Sequence, residues 1–482
     1  MQDAPRAATA SAQAPTRVAT KIVLSVVGTA SFMTTLGTGL VNVANPSIRT
    51  YFDATLGEAA WVVTSYLLAV SALLLVFGRL GDIVGYSRLL AIGLVGFAAT
   101  SLLCSLVSVF PLLIAGRLAQ GAFAAILMAI GPALITTTVP PQERGRALGV
   151  LGTLTYLGLS AGPVIGGALV ARFGWRAVFL VHLPIAACAL GLMRRMSSAA
   201  PAGGPRRRID APSALLWGVA LSCALLAMSS GERKGWTSPF VLGLTVAAIA
   251  TGGIFIFWQR RAEHPLIPGA LFRNATFRNS TVAALLLYCV SFIMMFTLPF
   301  FLQGAWAMNP ATIGLVMACQ PVLMALVAPL SGSLSDRAGP RVPASIGMAI
   351  IAVAVLAIAH AGAHHTLSML LVSLAAFGVG AGLFTTANNS AIMGSAPKTQ
   401  QGIASAILGL ARNVGMAAGV GAGGAMLALF RMDGTARADE RALTRTFAVA
   451  SVLAVVGALF SWARGAESVE APAISSLPGA TR

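Results

Sequence analysis

Runs of about 20 apolar residues recur along this chain, and each can cross a bilayer core as a helix rising about 1.5 Å per residue. Of 482 residues, 57% are hydrophobic and only 10% are charged. A soluble domain needs about 25% charged residues to cover its surface, so lipid must be the main solvent here. The runs predict seven helical spans near 21–44, 59–78, 88–107, 110–138, 145–170, 176–193 and 212–230. Seven more follow near 238–258, 279–302, 311–334, 341–361, 366–392, 402–430 and 444–463. The segments 366–392 and 402–430 are glycine-rich enough to be broken. The fold class is therefore an all-α integral membrane protein, since a lone segment in lipid satisfies its backbone only as a helix.

The net charge of +18 could suggest nucleic acid, but its placement argues against that. With a cytoplasmic N-terminus and alternating spans, 21 of the 32 Lys and Arg fall in cytoplasmic segments and nine outside. Arg117 and Arg412 lie within spans. That bias sets orientation and meets anionic lipid head groups. It predicts lipid as a partner, no nucleic acid, and both termini cytoplasmic; Ala- and Arg-rich usage and short loops suggest a bacterial cytoplasmic (inner) membrane. The longest inner loop carries Arg194, Arg195, Arg206, Arg207 and Arg208, while 431–445 dissents with four arginines on the outside. Cys104, Cys188, Cys223, Cys289 and Cys319 are scattered singly without metal-binding spacing, as small core residues are. His360, His364 and His365 cluster without a neighbouring carboxylate in sequence and read as an ordinary loop rather than a metal site. Residues 1–20 lack the apolar core of a cleavable signal.

One segment is repeated. Gly78-Arg79-Leu80-Gly81-Asp82-Ile83-Val84-Gly85-Tyr86-Ser87-Arg88 joins the second and third spans. Gly332-Ser333-Leu334-Ser335-Asp336-Arg337-Ala338-Gly339-Pro340-Arg341 joins the tenth and eleventh. Glycine lets two helix ends approach, and an aspartate there can stabilise a helix N-terminus or pair with arginine. Gly78, Asp82, Gly85, Arg88, Asp336 and Arg337 are thus candidate gating residues, or else a capped solvated loop. Matching copies predict a tail (1–20), a six-helix half (21–193), a basic linker (194–211) and a two-helix insertion (212–258). A second linker (259–278), a second half (279–463) and a tail (464–482) complete the chain. Duplicated halves flanking a substrate path are a transporter architecture.

With these motifs the chain resembles the major facilitator superfamily, and within it the fourteen-spanner drug:proton antiporter branch. The Asp82 loop is similar to the superfamily signature. Leu113-Ile114-Ala115-Gly116-Arg117-Leu118-Ala119-Gln120-Gly121 resembles the branch's fourth-helix motif, and Gly158-Leu159-Ser160-Ala161-Gly162-Pro163-Val164-Ile165-Gly166-Gly167 its antiporter motif. Trp175-Arg176, Phe179-Leu180 and Leu183-Pro184 resemble the opening of the sixth helix. The resemblance is close over 21–193 and looser beyond. It implies a non-enzymatic monomer, without cofactor, that exports amphiphilic small molecules by alternating access, driven by the proton gradient. It also implies that the kinked helix bearing Gly158, Gly162, Pro163 and Gly166 lies at the interface between the halves and favours export.

Charge within a span is expensive, so each case is a functional candidate. Arg117 lies about 10 Å into its helix, with Gln120 and Gly121 on the same face. It can hold substrate, relay a proton, or bond backbone carbonyls as a structural residue. Arg412 and Asn413 lie mid-span, where packing competes with substrate contact. Gln303, Gln320, Asn388 and Asn389 are further polar groups that serve equally as helix–helix contacts. In the first span Thr38, Asn42 and Asn45, with Thr35 a turn earlier, form a polar stripe.

The branch pattern fails at one position. An aspartate normally precedes the stretch seen here as Asn42-Val43-Ala44-Asn45-Pro46, and Gly37 takes its place. None of the fourteen acids lies mid-span. His182, where the pattern usually has asparagine, has an ordinary pKa of about 6.5 and is a candidate proton carrier or a satisfied structural residue. Two embedded arginines without embedded acids point to neutral, zwitterionic or anionic substrates. An uncoupled or anion-exchanging carrier of the same fold stands as the alternative. No catalytic constellation supports a membrane enzyme.

Overall fold

The computed structural model describes residues 17–139, 143–195, 211–235, 237–262, 269–397, 400–430 and 436–464. Arg206, Arg207 and Arg208 of the basic linker and most of both tails lie outside these residues. The first helices are α1 (Arg17–Phe52), α2 (Leu56–Val84), α3 (Tyr86–Leu106), α4 (Phe110–Thr138) and α5 (Arg144–Phe173). Next come α6 (Ala177–Leu180), α7 (His182–Met193), α8 (Ala211–Lys234), α9 (Pro239–Arg261) and the short α10 (Gly269–Arg273). The last are α11 (Ala275–Gly304), α12 (Pro310–Ala338), α13 (Arg341–Ala363), α14 (Leu367–Ser395), α15 (Gln401–Phe430) and α16 (Ala436–Trp462).

Twelve of the described helices are long and apolar enough to cross a membrane. Two shorter apolar stretches, Ala177–Met193 and Leu215–Ala227, stand where the sixth and seventh spans are expected. Between α6 and α7, Val181 keeps helical angles and donates to the Ala177 carbonyl at 3.1 Å, so the sixth runs through as one apolar helix. Pro184 removes one bond from it, because a proline lacks the N–H that would reach the carbonyl of Leu180. Several helices outrun their apolar cores. α1 keeps Pro46 inside it and continues to Phe52, and α16 starts at Ala436 rather than near 444. The glycine-rich segments feared broken are continuous as α14 and α15.

Packing forms two bundles. The helices α1–α7 associate chiefly with one another, as do α11–α16, and the bundles meet where α5 touches α12 and α2 touches α15. The pair α8/α9 lies against α2 and α15, with the Trp217 indole donating to the Ser71 carbonyl at 3.3 Å and Gln259 donating to Ser213 at 2.5 Å. The face where α1 begins is called here the terminal face, and the other the opposite face.

The two repeated segments fold alike. Each ends on a glycine of positive φ, Gly85 at +97° and Gly339 at +74°, so the turn needs a residue without a Cβ. Gly85 donates to the Gly81 carbonyl at 3.0 Å as α2 gives way to α3. On the opposite face, Thr55 and Glu58 complete a reciprocal cap at the start of α2. The histidine loop differs from expectation. His365 lies 2.9 Å from Glu440 of α16 and stacks on Trp306, so a carboxylate distant in sequence does join it. Among the described residues, no three His, Cys, Asp or Glu side chains gather as a metal site.

Candidate functional site: a cavity between the bundles

Small residues decide where the bundles touch. A Cβ on Gly314 of α12 would lie 3.1 Å from the Cα of Gly167 on α5 and would collide with the Pro163 carbonyl oxygen. Gly424 of α15 faces Ala60 of α2, where a Cβ would meet the Ala60 methyl at 3.3 Å. Both contacts lie toward the opposite face. Away from that seam α5 and α12 part, and their side chains line a cavity of about 1050 Å³, counting its open mouth.

The walls are mostly apolar, with polar groups on each side that differ in kind. The first bundle presents Thr34, Thr35 and Thr38 of α1, Tyr66 of α2 and Thr155 of α5. The second presents Tyr288, Ser291 and Phe292 of α11, Gln320 of α12, and Arg412 and Asn413 of α15. Five methionines, Met128, Met295, Met317, Met324 and Met416, fill in between. Such side chains adapt to varied apolar shapes. Among the described residues no carboxylate lines the cavity, and Arg412 is its single charged group.

Of the residues the sequence singles out, Thr35, Thr38, Pro163, Gln320, Arg412 and Asn413 meet at this cavity. Others lie behind its wall. Arg117 is 2% exposed, donates from Nε to the Val62 carbonyl at 2.7 Å and from Nη1 to Gln120 at 2.5 Å, and lies 4.4 Å from the Tyr66 ring centre. Gln120 in turn donates to Ser101 at 2.5 Å. Arg117 thus braces Tyr66 from behind. Asn42 donates to the Thr38 carbonyl at 2.8 Å and Asn45 to the Ala59 carbonyl at 3.0 Å, tying α1 to itself and to α2. Asn388 donates to the Ser280 carbonyl at 3.1 Å and accepts from Arg464, which is 3% exposed. Gln303 and Asn389 lie outside the cavity lining.

α5 lies at the interface through α12, but its glycine face turns to a different neighbour. Gly158, Gly162 and Gly166 pack against α1 of the same bundle, with Gly162 so close to Gly39 that a Cβ would fall 2.7 Å from its Cα. The seam between bundles falls to Gly167 and Gly314 instead. Among the candidate gates, a Cβ on Gly78 would meet the Ala129 methyl at 4.0 Å, an ordinary contact, and Arg88 and Arg337 are exposed. The side chains of Asp82 and Asp336 lie outside the described residues.

Gly37 has an unforeseen neighbour. A Cβ there would lie 2.8 Å from Nε2 of His182, so the imidazole occupies the room that a side chain at position 37 would take. His182 is 1% exposed, lies 3.1 Å through Nδ1 from the Phe179 carbonyl and packs edge-on to Phe97. Its Nε2 has no partner among the described residues. Neither residue reaches the cavity.

Sequence reasoning missed Tyr66, Tyr288, the methionines, Gly167, Gly314 and Arg464. Tyrosine offered a weak signal. The chain has only five, and two line the cavity. Methionine gave none, because it suits lipid and cavity equally.

Two helical bundles enclosing a central cavity, reached through apolar membrane-length helices, define a multi-pass membrane carrier. The Major Facilitator Superfamily profile matches residues 27–259 and 280–481, and the chain belongs to that family of transporters. It is 33% identical over 398 residues to the riboflavin transporter RibZ of Clostridioides difficile, covering 83% of this chain and 86% of the relative. It is 29% identical to the tetracenomycin C resistance and export protein of Streptomyces glaucescens, covering 82% and 74%. Multidrug resistance protein Stp of Mycobacterium tuberculosis is also 29% identical, with 84% and 76% covered. In fold, the chain superposes on a bacterial homologue of the human lysosomal transporter Spinster, solved inward-facing and unoccupied. The TM-score is 0.70 at 15% identity, covering 93% of this chain and 97% of that one.

Proposed function

We propose that this chain exports amphiphilic small molecules across the cytoplasmic membrane by alternating access. The observation that carries the reading is the cavity between the bundles, shut toward the opposite face by the α5/α12 seam. The terminal face is cytoplasmic in this reading, following the arginine bias, and the structure is the state that loads from the cytoplasm. Fourteen crossings follow if α6/α7 and α8 each span, giving two six-helix halves and the α8/α9 insertion. The resistance and export proteins among the relatives support efflux; the riboflavin transporter shows that the same sequence family also serves a metabolite.

Release is explained by the same helices. Phe292 lines the cavity, and Phe300 lines a smaller hollow of about 470 Å³ on the opposite face. Phe296, one helical turn from each on α11, is 1% exposed and lies 5.1 Å from the Phe300 ring centre. Substrate crosses when the bundles rock and Phe296 is freed from between them.

Proton antiport is the proposed driving force, with uncoupled or anion-exchanging carriage as the second reading. The second is favoured by one observation: no described carboxylate lines the cavity. Everted vesicles bearing the protein, energised and offered cationic, neutral and anionic amphiphiles, separate them. Antiport predicts substrate accumulation together with proton release from the vesicle lumen. Accumulation without proton movement establishes the second reading, and no accumulation of any compound overturns export.

A further inference from the structure

The two walls of the cavity carry opposite hydrogen-bonding character. Thr34 and Thr35 donate their hydroxyl protons to the Ser31 carbonyl at 3.0 and 2.8 Å, and Thr155 donates to the Leu151 carbonyl at 2.8 Å. With those protons committed to their own helices, the threonine oxygens are left to accept. Across the cavity Arg412 can only donate. No hydrogen bond or ion pair holds it among the described residues, and no described carboxylate lines the space it faces. Beside it Asn413 is 2% exposed, with an amide nitrogen that also lacks a partner.

A guanidinium facing a low-dielectric space gains most from an anion that accepts two hydrogen bonds in its plane. Tyr66, Tyr288 and Phe292 supply flat apolar surface between the walls, as an aromatic body requires. We propose that the cavity receives aromatic amphiphiles bearing a carboxylate, bound with that group on Arg412 and Asn413 of α15 and the far end against the threonine oxygens of α1 and α5. This rests on the cavity being the transport site. It narrows the substrate class from amphiphiles in general to those with an acceptor end, and it disfavours cations. Arg412 is then a specificity-determining residue, whereas Arg117, behind Tyr66, is not.

Three probes with one fluorophore test this: dansylglycine (anionic), its methyl ester (neutral) and dansylcadaverine (cationic). Equilibrium binding is measured on protein in lipid nanodiscs, with empty nanodiscs subtracted. Dansylglycine is expected to bind at least about tenfold more tightly than dansylcadaverine, the scale of a charge-assisted hydrogen bond. Arg412→Gln should abolish that preference, and an unchanged Tm in nanodiscs shows that the variant is folded. Arg412→Lys should retain part of it. Dansylglycine failing to bind, dansylcadaverine binding as tightly, or a preference that survives Arg412→Gln would each overturn the proposal. Transport in vesicles is a separate readout. A preference that depends on Arg412 in a protein that moves nothing would sink the export reading and leave this one standing.

Discussion

At the residue scale, Gly37 and His182 are one feature rather than two. The missing side chain on α1 and the imidazole on α7 share a single space. Gly37→Asp should therefore destabilise the protein by about 1–3 kcal/mol through overpacking, read as a lower Tm in nanodiscs. Adding His182→Asn, the pairing the branch pattern favours, should recover much of the loss; equal losses in single and double variants would show the sites uncoupled. Arg117→Ala should cost about 1–3 kcal/mol as well, because Gln120 and the Val62 carbonyl lose their donor. It should shift dansylglycine affinity far less than Arg412→Gln does. The departure at position 37 was legible in the sequence, and so were Arg117 and Arg412 within their spans. Which way each polar side chain points was not, since membrane helices use polar groups for mutual packing as readily as for ligands. Arg412 and Arg117 read alike in the chain, and only packing separates the cavity wall from the brace behind it.

At the element scale, spacing predicts a face and leaves its partner open. Glycines every fourth residue mark a close-packing side of α5, yet the neighbour is α1, and the seam between bundles rests on Gly167 and Gly314. Gly314→Val should force α5 from α12. A cysteine placed in the cavity should then become reachable by a membrane-impermeant thiol reagent from the opposite face. Unchanged reactivity would show that this seam is not the seal. The repeated segment was legible because its spacing is kept, and its physical reason emerges in the positive φ of Gly85 and Gly339. Gly85→Ala or Gly339→Ala should each cost about 1 kcal/mol or more, because a Cβ is strained at that backbone conformation. Helix ends were the least legible part. Composition reports contact with lipid, whereas α1 and α16 continue past it.

At the scale of the whole molecule, apolar runs were enough to indicate a helical membrane protein, because lipid leaves few ways to satisfy a backbone; the duplicated turn pointed to a transporter, and the resemblance of the motifs around Asp82, Arg117 and Pro163 to the family. The cavity itself was not legible, being assembled from residues far apart in the chain and largely of apolar type. A cavity between two bundles, read as a transport site, makes a mechanical claim: the bundles rock, so that one face opens as the other shuts. The direct test is the distance between spin labels at both faces in a background with the five native cysteines replaced. One pair, at Phe173 and Ala307, spans the seam at the opposite face; the other, at Ile83 and Leu334, spans the terminal face, and all four positions are exposed. Double electron–electron resonance in nanodiscs, across pH and with dansylglycine, should show two populations per pair, the first lengthening as the second shortens. Single unchanging distances at both faces, or both pairs lengthening together, would contradict alternating access.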